Sequence, residues 1–185
     1  QNLITRVFNF MKYDATTIGN HDIETGPKVY RSIEKQLKMP LMAANAINSK
    51  TGKPAFKPYT IIKKNGVTIA VLGLTTPGIP HWLPKILWPD MHFEDMILTA
   101  NYWVKHIQKK EKPHIIIGLF HSGHDATYSG GTATEPKNEN ASLLVAQQVP
   151  GFDIILIGHD HDKLCKKFAT INGDSVLVMD PTSGA

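Results

Sequence analysis

Three features of the 185-residue sequence predict an α/β fold with a mixed sheet. Apolar runs rich in β-branched residues recur at 59–63, 67–72, 115–120 and 152–157, and segments with helical spacing of apolar residues lie between most of them. Asn65-Gly66 and Asn172-Gly173-Asp174 join adjacent runs as hairpins, so antiparallel pairs accompany parallel ones. Three strand ends lead into histidine-bearing loops, which together hold five of the nine histidines. The carboxyl ends of strands are where open α/β sheets place ligands.

The elements follow in order. Leu3, Val7, Phe10 and Met11 trace a helix over 2–12, and Tyr13-Asp14 turns into a strand over 15–18. Gly19-Asn20-His21-Asp22 reads as a loop. A helix follows with Pro27 in its first turn and Val29, Ile33 and Leu37 on one face, and Pro40 stops it. After a strand at 41–44, residues 45–58 read as a surface loop punctuated by Gly52, Pro54 and Pro58. The 59–72 hairpin comes next. Residues 77–92, with four prolines, read as an irregular excursion whose Trp82 and Trp88 are assigned to packing. Ile97, Ala100, Val104 and Ile107 mark a helix with Lys109-Lys110 at its carboxyl end and Pro113 beyond. The strand 115–120, a polar loop over 122–138 and a short helix at 141–148 lead to Phe152-Asp153-Ile154-Ile155-Leu156-Ile157. That run reads as a strand buried on both faces, with Gly158 making the tight exit. The 167–179 hairpin is last. No repeat or linker divides the chain, so a single domain over 1–185 is expected.

The totals narrow the chemistry. Hydrophobic residues at 42% and charged ones at 19% are globular proportions. The net charge of +4 is spread over separate pairs such as Lys63-Lys64 and Lys166-Lys167. No basic run is interleaved with aromatics, which argues against a nucleic-acid polymer as partner. Cys165 stands alone, which excludes an intrachain disulfide and a cysteine-based metal knot. No stretch approaches the roughly 18 apolar residues of a membrane span, and the first residues carry no signal segment.

The three loops are Gly19-Asn20-His21-Asp22, His121-Ser122-Gly123-His124-Asp125 and Gly158-His159-Asp160-His161. Imidazole, amide oxygen and carboxylate suit Zn, Mn, Fe, Co or Ni rather than a thiolate-selected metal. A lone pair of histidines two apart is weak evidence. Three such loops together point to a metal site. His81, His92, His106 and His114 lack this context and read as scaffold or surface residues.

Gly19-Asn20-His21-Asp22, with Glu24 and Gly26 behind it, resembles the GNH[DE] signature of the calcineurin-like metallophosphatases. Residues 13–21 are similar to the bacterial 5'-nucleotidase and 2',3'-cyclic-nucleotide 2'-phosphodiesterase branch. His121-Ser122-Gly123-His124 and Gly158-His159-Asp160-His161 match its later blocks in order. Ala43-Ala44-Asn45, Gly73-Leu74-Thr75-Thr76 and Pro181-Thr182-Ser183-Gly184 sit where that branch has similar words.

The resemblance implies a four-layer α-β-β-α sandwich with mixed sheets. It implies two divalent metals (Zn, Mn, Co or Fe) in the parent enzyme, with Asn20, His121 and His159 on the second and His161 on the first. His21 falls on the histidine that contacts the phosphate and serves the transition state or leaving oxygen, and Glu24 on the acid that orients it. His124 has two readings: a role near the phosphate or as an outer hydrogen-bond partner of the metal ligands, and a structural hydrogen bond within its loop. The implied substrate is a nucleotide phosphate ester. Residues 75–92 look more like the cyclic phosphodiesterase members than the 5'-nucleotidases, and a periplasmic, secreted or cell-envelope location goes with that branch.

The family's DxH and GDxxxG blocks and its C-terminal nucleotide-binding domain have no counterpart in 1–185. A partial domain truncated at both ends, inactive by itself, is therefore expected. The alternatives are a phosphoesterase for another substrate such as a UDP-sugar, and a non-catalytic metal- or ligand-binding module.

Overall fold

The computed structural model describes residues 2–181, so Thr182, Ser183 and Gly184 of the last motif lie outside the described residues. Asn2 caps the first helix, α1 (Leu3–Met11), by accepting from the Ile4 amide at 2.9 Å. The apolar stripe of α1 faces largely outward, with Phe10 87% exposed, and polar contacts tether the helix: Asn9 donates to the Gln36 carbonyl at 2.9 Å. Strand β1 (Thr16–Thr17) leads into a short helix, α2 (Asn20–Glu24), where a loop was expected. Gly26, at φ 84°, turns the corner into α3 (Pro27–Gln36). Its buried anchor is Tyr30 rather than Val29.

Strand β2 (Leu41–Met42) pairs in parallel with β1. Residues 45–58 are not a surface loop. They hold β3 (Ala46–Asn48) and β4 (Lys53–Pro54), and Phe56 is buried beneath the Arg31 guanidinium, 4.3 Å from its ring centroid. The hairpin β5 (Tyr59–Lys64) and β6 (Val67–Thr75) turns on Asn65 and Gly66 at φ 50° and 80°, as a type I′ turn requires. The excursion that follows contains α4 (Ile79–Trp82) and β7 (Met91–Phe93), and β7 pairs with β3. No local signal marks β3, because its main partner lies more than forty residues away.

Asp95 caps α5 (Met96–Lys110) by accepting from the Ile97 and Leu98 amides at 2.8 and 3.0 Å. Strand β8 (Ile115–His121), helix α6 (Ser142–Gln148), strand β9 (Ile154–Gly158) and the hairpin β10 (Lys163–Ala169) and β11 (Ser175–Pro181) complete the chain. No helix among the described residues is long and apolar enough to cross a membrane.

The main sheet has six strands in the order β10-β11-β9-β8-β6-β5. Its four inner strands are parallel and its two edges antiparallel, which is the mixed sheet expected. Helices α5 and α6 cover one face over a core that includes Leu72, Val104, Phe120, Val145 and Ile155. Strands β1 and β2 lie on the other face, and beyond them Tyr30 of α3 joins Ile18, Ile23, Leu41 and Phe56 in a second core. The stacking is helix, sheet, sheet, helix. Because β1 and β2 are so short, Leu156 stays 37% exposed beside an apolar cleft lined by Phe8, Val71 and Leu119. Among the described residues β9 is therefore well buried on one face only.

Asn45 stitches these parts together. Wholly buried, it donates through Nδ2 to the Thr75 and Glu94 carbonyls at 2.7 and 3.2 Å and accepts from the Thr75 amide at 2.9 Å. An Asn45→Ala variant strands buried groups that cost about 1–3 kcal/mol each. A lowered urea midpoint at unchanged m is expected. A loss below about 1 kcal/mol would refute this role for Asn45.

Candidate functional site

The strand register levels Thr75 with His121 and His121 with Gly158, so β6, β8 and β9 end together. Gly19 lies directly against that edge. A Cβ on Gly19 would sit 2.7–2.9 Å from three atoms of the His121 ring, so glycine is needed here for close approach. The Gly19 amide donates to Asp22 Oδ2 at 2.8 Å, which starts α2 at once. Asn20 and His21 thus project from a helical turn and not from a loop.

Asn20 Oδ1 lies 2.8 Å from His121 Nε2, and the His121 and His159 ring centroids are 5.0 Å apart. Burial, and then the positive charge of His159, His21 and His161, holds the His121 pKa down to about 4. Burial likewise lowers that of His159. Both imidazoles are predominantly neutral at pH 7, and a cation taking the place of the proton between His121 Nε2 and Asn20 Oδ1 would meet both donor atoms. His21 sits on the exposed side of α2 with Nδ1 2.8 Å from Glu24 Oε2, so Glu24 does reach it.

The turn after β9 differs from expectation. Gly158 does not take the tight conformation. His159 and His161 do, at φ 119° and 56°. Such backbone costs of order 1–3 kcal/mol per residue and persists only where surroundings impose it. One restraint is Trp82, whose indole centroid lies 5.5 Å from the His159 ring. Trp82 is 43% exposed and packs its edge where a Gly78 side chain would stand, so the assignment of Trp82 to core packing is corrected: it flanks the site. Trp88 does pack, donating to the Leu83 carbonyl at 2.9 Å and meeting the Phe93 ring edge-on.

His161, exposed, shares with His159, Trp82 and His124 a cavity of about 730 Å³. His124 finds its partner outside its own loop: Nδ1 is 2.7 Å from Asp160 Oδ2, and Nε2 is 3.5 Å from Asp162 Oδ2. His124, Asp160 and Asp180 each offer a ligand atom within 4.8 Å of the others. Sequence reasoning missed both aspartates. Asp160 carries no signal beyond that of a polar residue in a turn, whereas Asp180 has one, because it follows the inward Val176 and Val178 at the strand's period of two.

The remaining histidines lie apart from the convergence of Asn20, His121 and His159. His114 accepts from the Thr68 amide at 2.9 Å, His106 packs on Tyr59 and Trp103, and His92 bridges Ser49 and Glu94. His81 lines a separate hollow with Glu135 and Lys137.

Residues 1–163 match the family model described as calcineurin-like phosphoesterase. Protein UshA of Yersinia enterocolitica is 35% identical over 162 residues, 86% of this chain and 28% of that protein. A 2',3'-cyclic-nucleotide 2'-phosphodiesterase/3'-nucleotidase of the same organism is 29% identical over 185 residues, covering 94% of this chain and 27% of the relative. The chain thus spans little more than a quarter of these relatives. Among solved structures, the calcineurin-like phosphoesterase YfkN of Bacillus subtilis superposes with a TM-score of 0.83 at 30% identity, covering 97% of this chain and 57% of that one. The chain belongs to the calcineurin-like phosphoesterase family.

Proposed function

We propose that Asn20, His121 and His159 hold a divalent cation in a site that hydrolyses nucleotide phosphate esters, with His161 serving a second cation. The observation that carries this reading is the approach of Asn20 Oδ1 to His121 Nε2 at 2.8 Å, beside a second buried, neutral imidazole. Members of this family bind divalent metals, and an uncharged N, N, O donor set fits Zn, Mn, Co or Fe. A cation so held polarises a phosphoryl oxygen and lowers the pKa of bound water.

The chain's own residues supply the rest. His21 directs Nδ1 to Glu24, which leaves Nε2 to exchange a proton with the leaving oxygen. Trp82 walls one side of His159. The nucleotide assignment is supported by relatives named 5'-nucleotidase and 2',3'-cyclic-nucleotide 2'-phosphodiesterase/3'-nucleotidase. By the same resemblance we place the protein outside the cytoplasm and its full activity in a longer protein that contains this chain.

His121→Ala should weaken Co²⁺ or Zn²⁺ binding by more than the 10–100-fold that loss of an outer hydrogen-bond partner costs. Calorimetry or cobalt absorption reads this out, and unchanged affinity removes His121 from the ligand set. In the protein containing this chain, His21→Ala should lower kcat by about 10²–10⁴-fold with cation affinity unchanged. The assay is a panel of 5'-AMP, 3'-AMP, 2',3'-cyclic AMP and UDP-glucose. Intact cation binding without turnover of any of them would favour the binding-module alternative.

His121 also sets a pH dependence. Its pKa is lower folded, about 4, than in the unfolded chain, where the ordinary value is 6.5. The unfolded state therefore takes up the proton first, and stability falls as pH drops from 6.5 to 4. Urea denaturation of the metal-free chain should show this slope, and His121→Asn should flatten it. An unchanged slope in that variant assigns it to other groups.

A further inference from the structure

The turn between β9 and β10 sets two non-glycine residues in the left-handed half of backbone space, His159 at φ 119° and His161 at φ 56°. Asp160 lies between them. Asp160 Oδ2 accepts the His124 amide at 2.8 Å and lies 2.7 Å from His124 Nδ1, so the carboxylate crosses from the end of β9 to the loop after β8. A charged acceptor makes this bond stronger than a neutral one. The crossing exists because residue 123 is glycine: a Cβ there would stand 2.9 Å from Asp160 Oδ2 and 2.4 Å from Asn140 Oδ1. Asp180, near the end of β11, closes against the same pair.

We propose that Asp160 is a positioning residue, its carboxylate tethering the turn that carries His159 and His161 to the loop that carries His121. This rests on the reading of His121 and His159 as partners in one cation site. Nothing else in the turn's sequence favours its backbone, since Gly158 spends none of its freedom on a positive φ. Without the tether, Trp82 against the His159 ring is the restraint that remains, His161 is released toward ordinary backbone, and the 5.0 Å spacing of the His121 and His159 rings loosens. Outer hydrogen-bond partners of metal ligands act in this way, fixing ring orientation without touching the ion.

The test uses the 185-residue chain, amide hydrogen exchange over 121–125 and 158–162, and titration with Co²⁺. Asp160→Ala should speed exchange of the His124 amide and of the 159–161 amides, and weaken Co²⁺ about 10–100-fold. Asp160→Asn keeps an acceptor for the His124 amide and should recover most of both. Gly123→Ala, which leaves the carboxylate in place but blocks its approach, should reproduce the loss. Wild-type exchange in Asp160→Ala overturns the tether, whatever the cation does. Asp160→Asn no better than Asp160→Ala also overturns it. So does a second bound Co²⁺ that disappears in Asp180→Asn, because His124, Asp160 and Asp180 would then be a cation site. A wild-type chain that takes up no Co²⁺ defeats the ligand reading of His121 and His159, and the exchange measurements then decide the tether alone.

Discussion

The seat of the His121 ring against Gly19 is the contact on which the other arrangements depend. It joins the end of β8, in the core under α5 and α6, to the start of α2, which belongs to the second core through Ile23. Two separately packed halves meet at this point, and the polar side chains of both converge there. Protein interiors are close-packed and deform little, so a displacement of one core against the other would register first at this contact. The hydrogen bonds of Asn45 to Thr75 and Glu94 keep the same alignment a few residues away.

That packing also decides the electrostatics. An exposed imidazole near its ordinary pKa is partly protonated at neutral pH, and the protonated fraction has no lone pair for a metal. Burial against Gly19 removes the water that would stabilise the charged form, and the neighbouring imidazoles add repulsion in the same direction. Desolvation is the larger effect on His121, so the glycine contributes to the chemistry as well as to the fit. His159 is brought to the same neutral state by burial, although the adjacent Asp160 opposes it.

Much of this was legible in the residues. Periodicity located the six-stranded sheet and α5, and Asn65-Gly66 fixed one hairpin, because those signals are local. The convergence of Asn20, His121 and His159 followed from their shared place after apolar strands. Strand β3 was invisible because a three-residue strand owes its existence to β7, far along the chain. Leu156 was misjudged because a continuous apolar run does not tell how long the opposing strands are. Trp82 flanks the site instead of filling the core, and spacing alone cannot separate an aromatic that does the one from an aromatic that does the other. Asp160 escaped notice for a similar reason: a polar residue in a turn ordinarily faces water, and only the gap at Gly123 lets this one reach across.

The exposed pair His21 and Glu24 bears on whether the site hydrolyses or only binds. The two side chains are 79% and 55% exposed, and an ion pair this open to solvent adds little to stability. The fold does not need it. A module that only held a cation would not need it either, since His21 points outward from α2 while Asn20, its neighbour, meets His121. What the pair does provide is an imidazole whose Nδ1 is held by Glu24, open to solvent on its other side and near enough for its charge to act on His121. An imidazole so oriented beside the proposed cation site has a purpose when a bond to oxygen is to be broken, and this is the argument for the proposed hydrolase over the binding module.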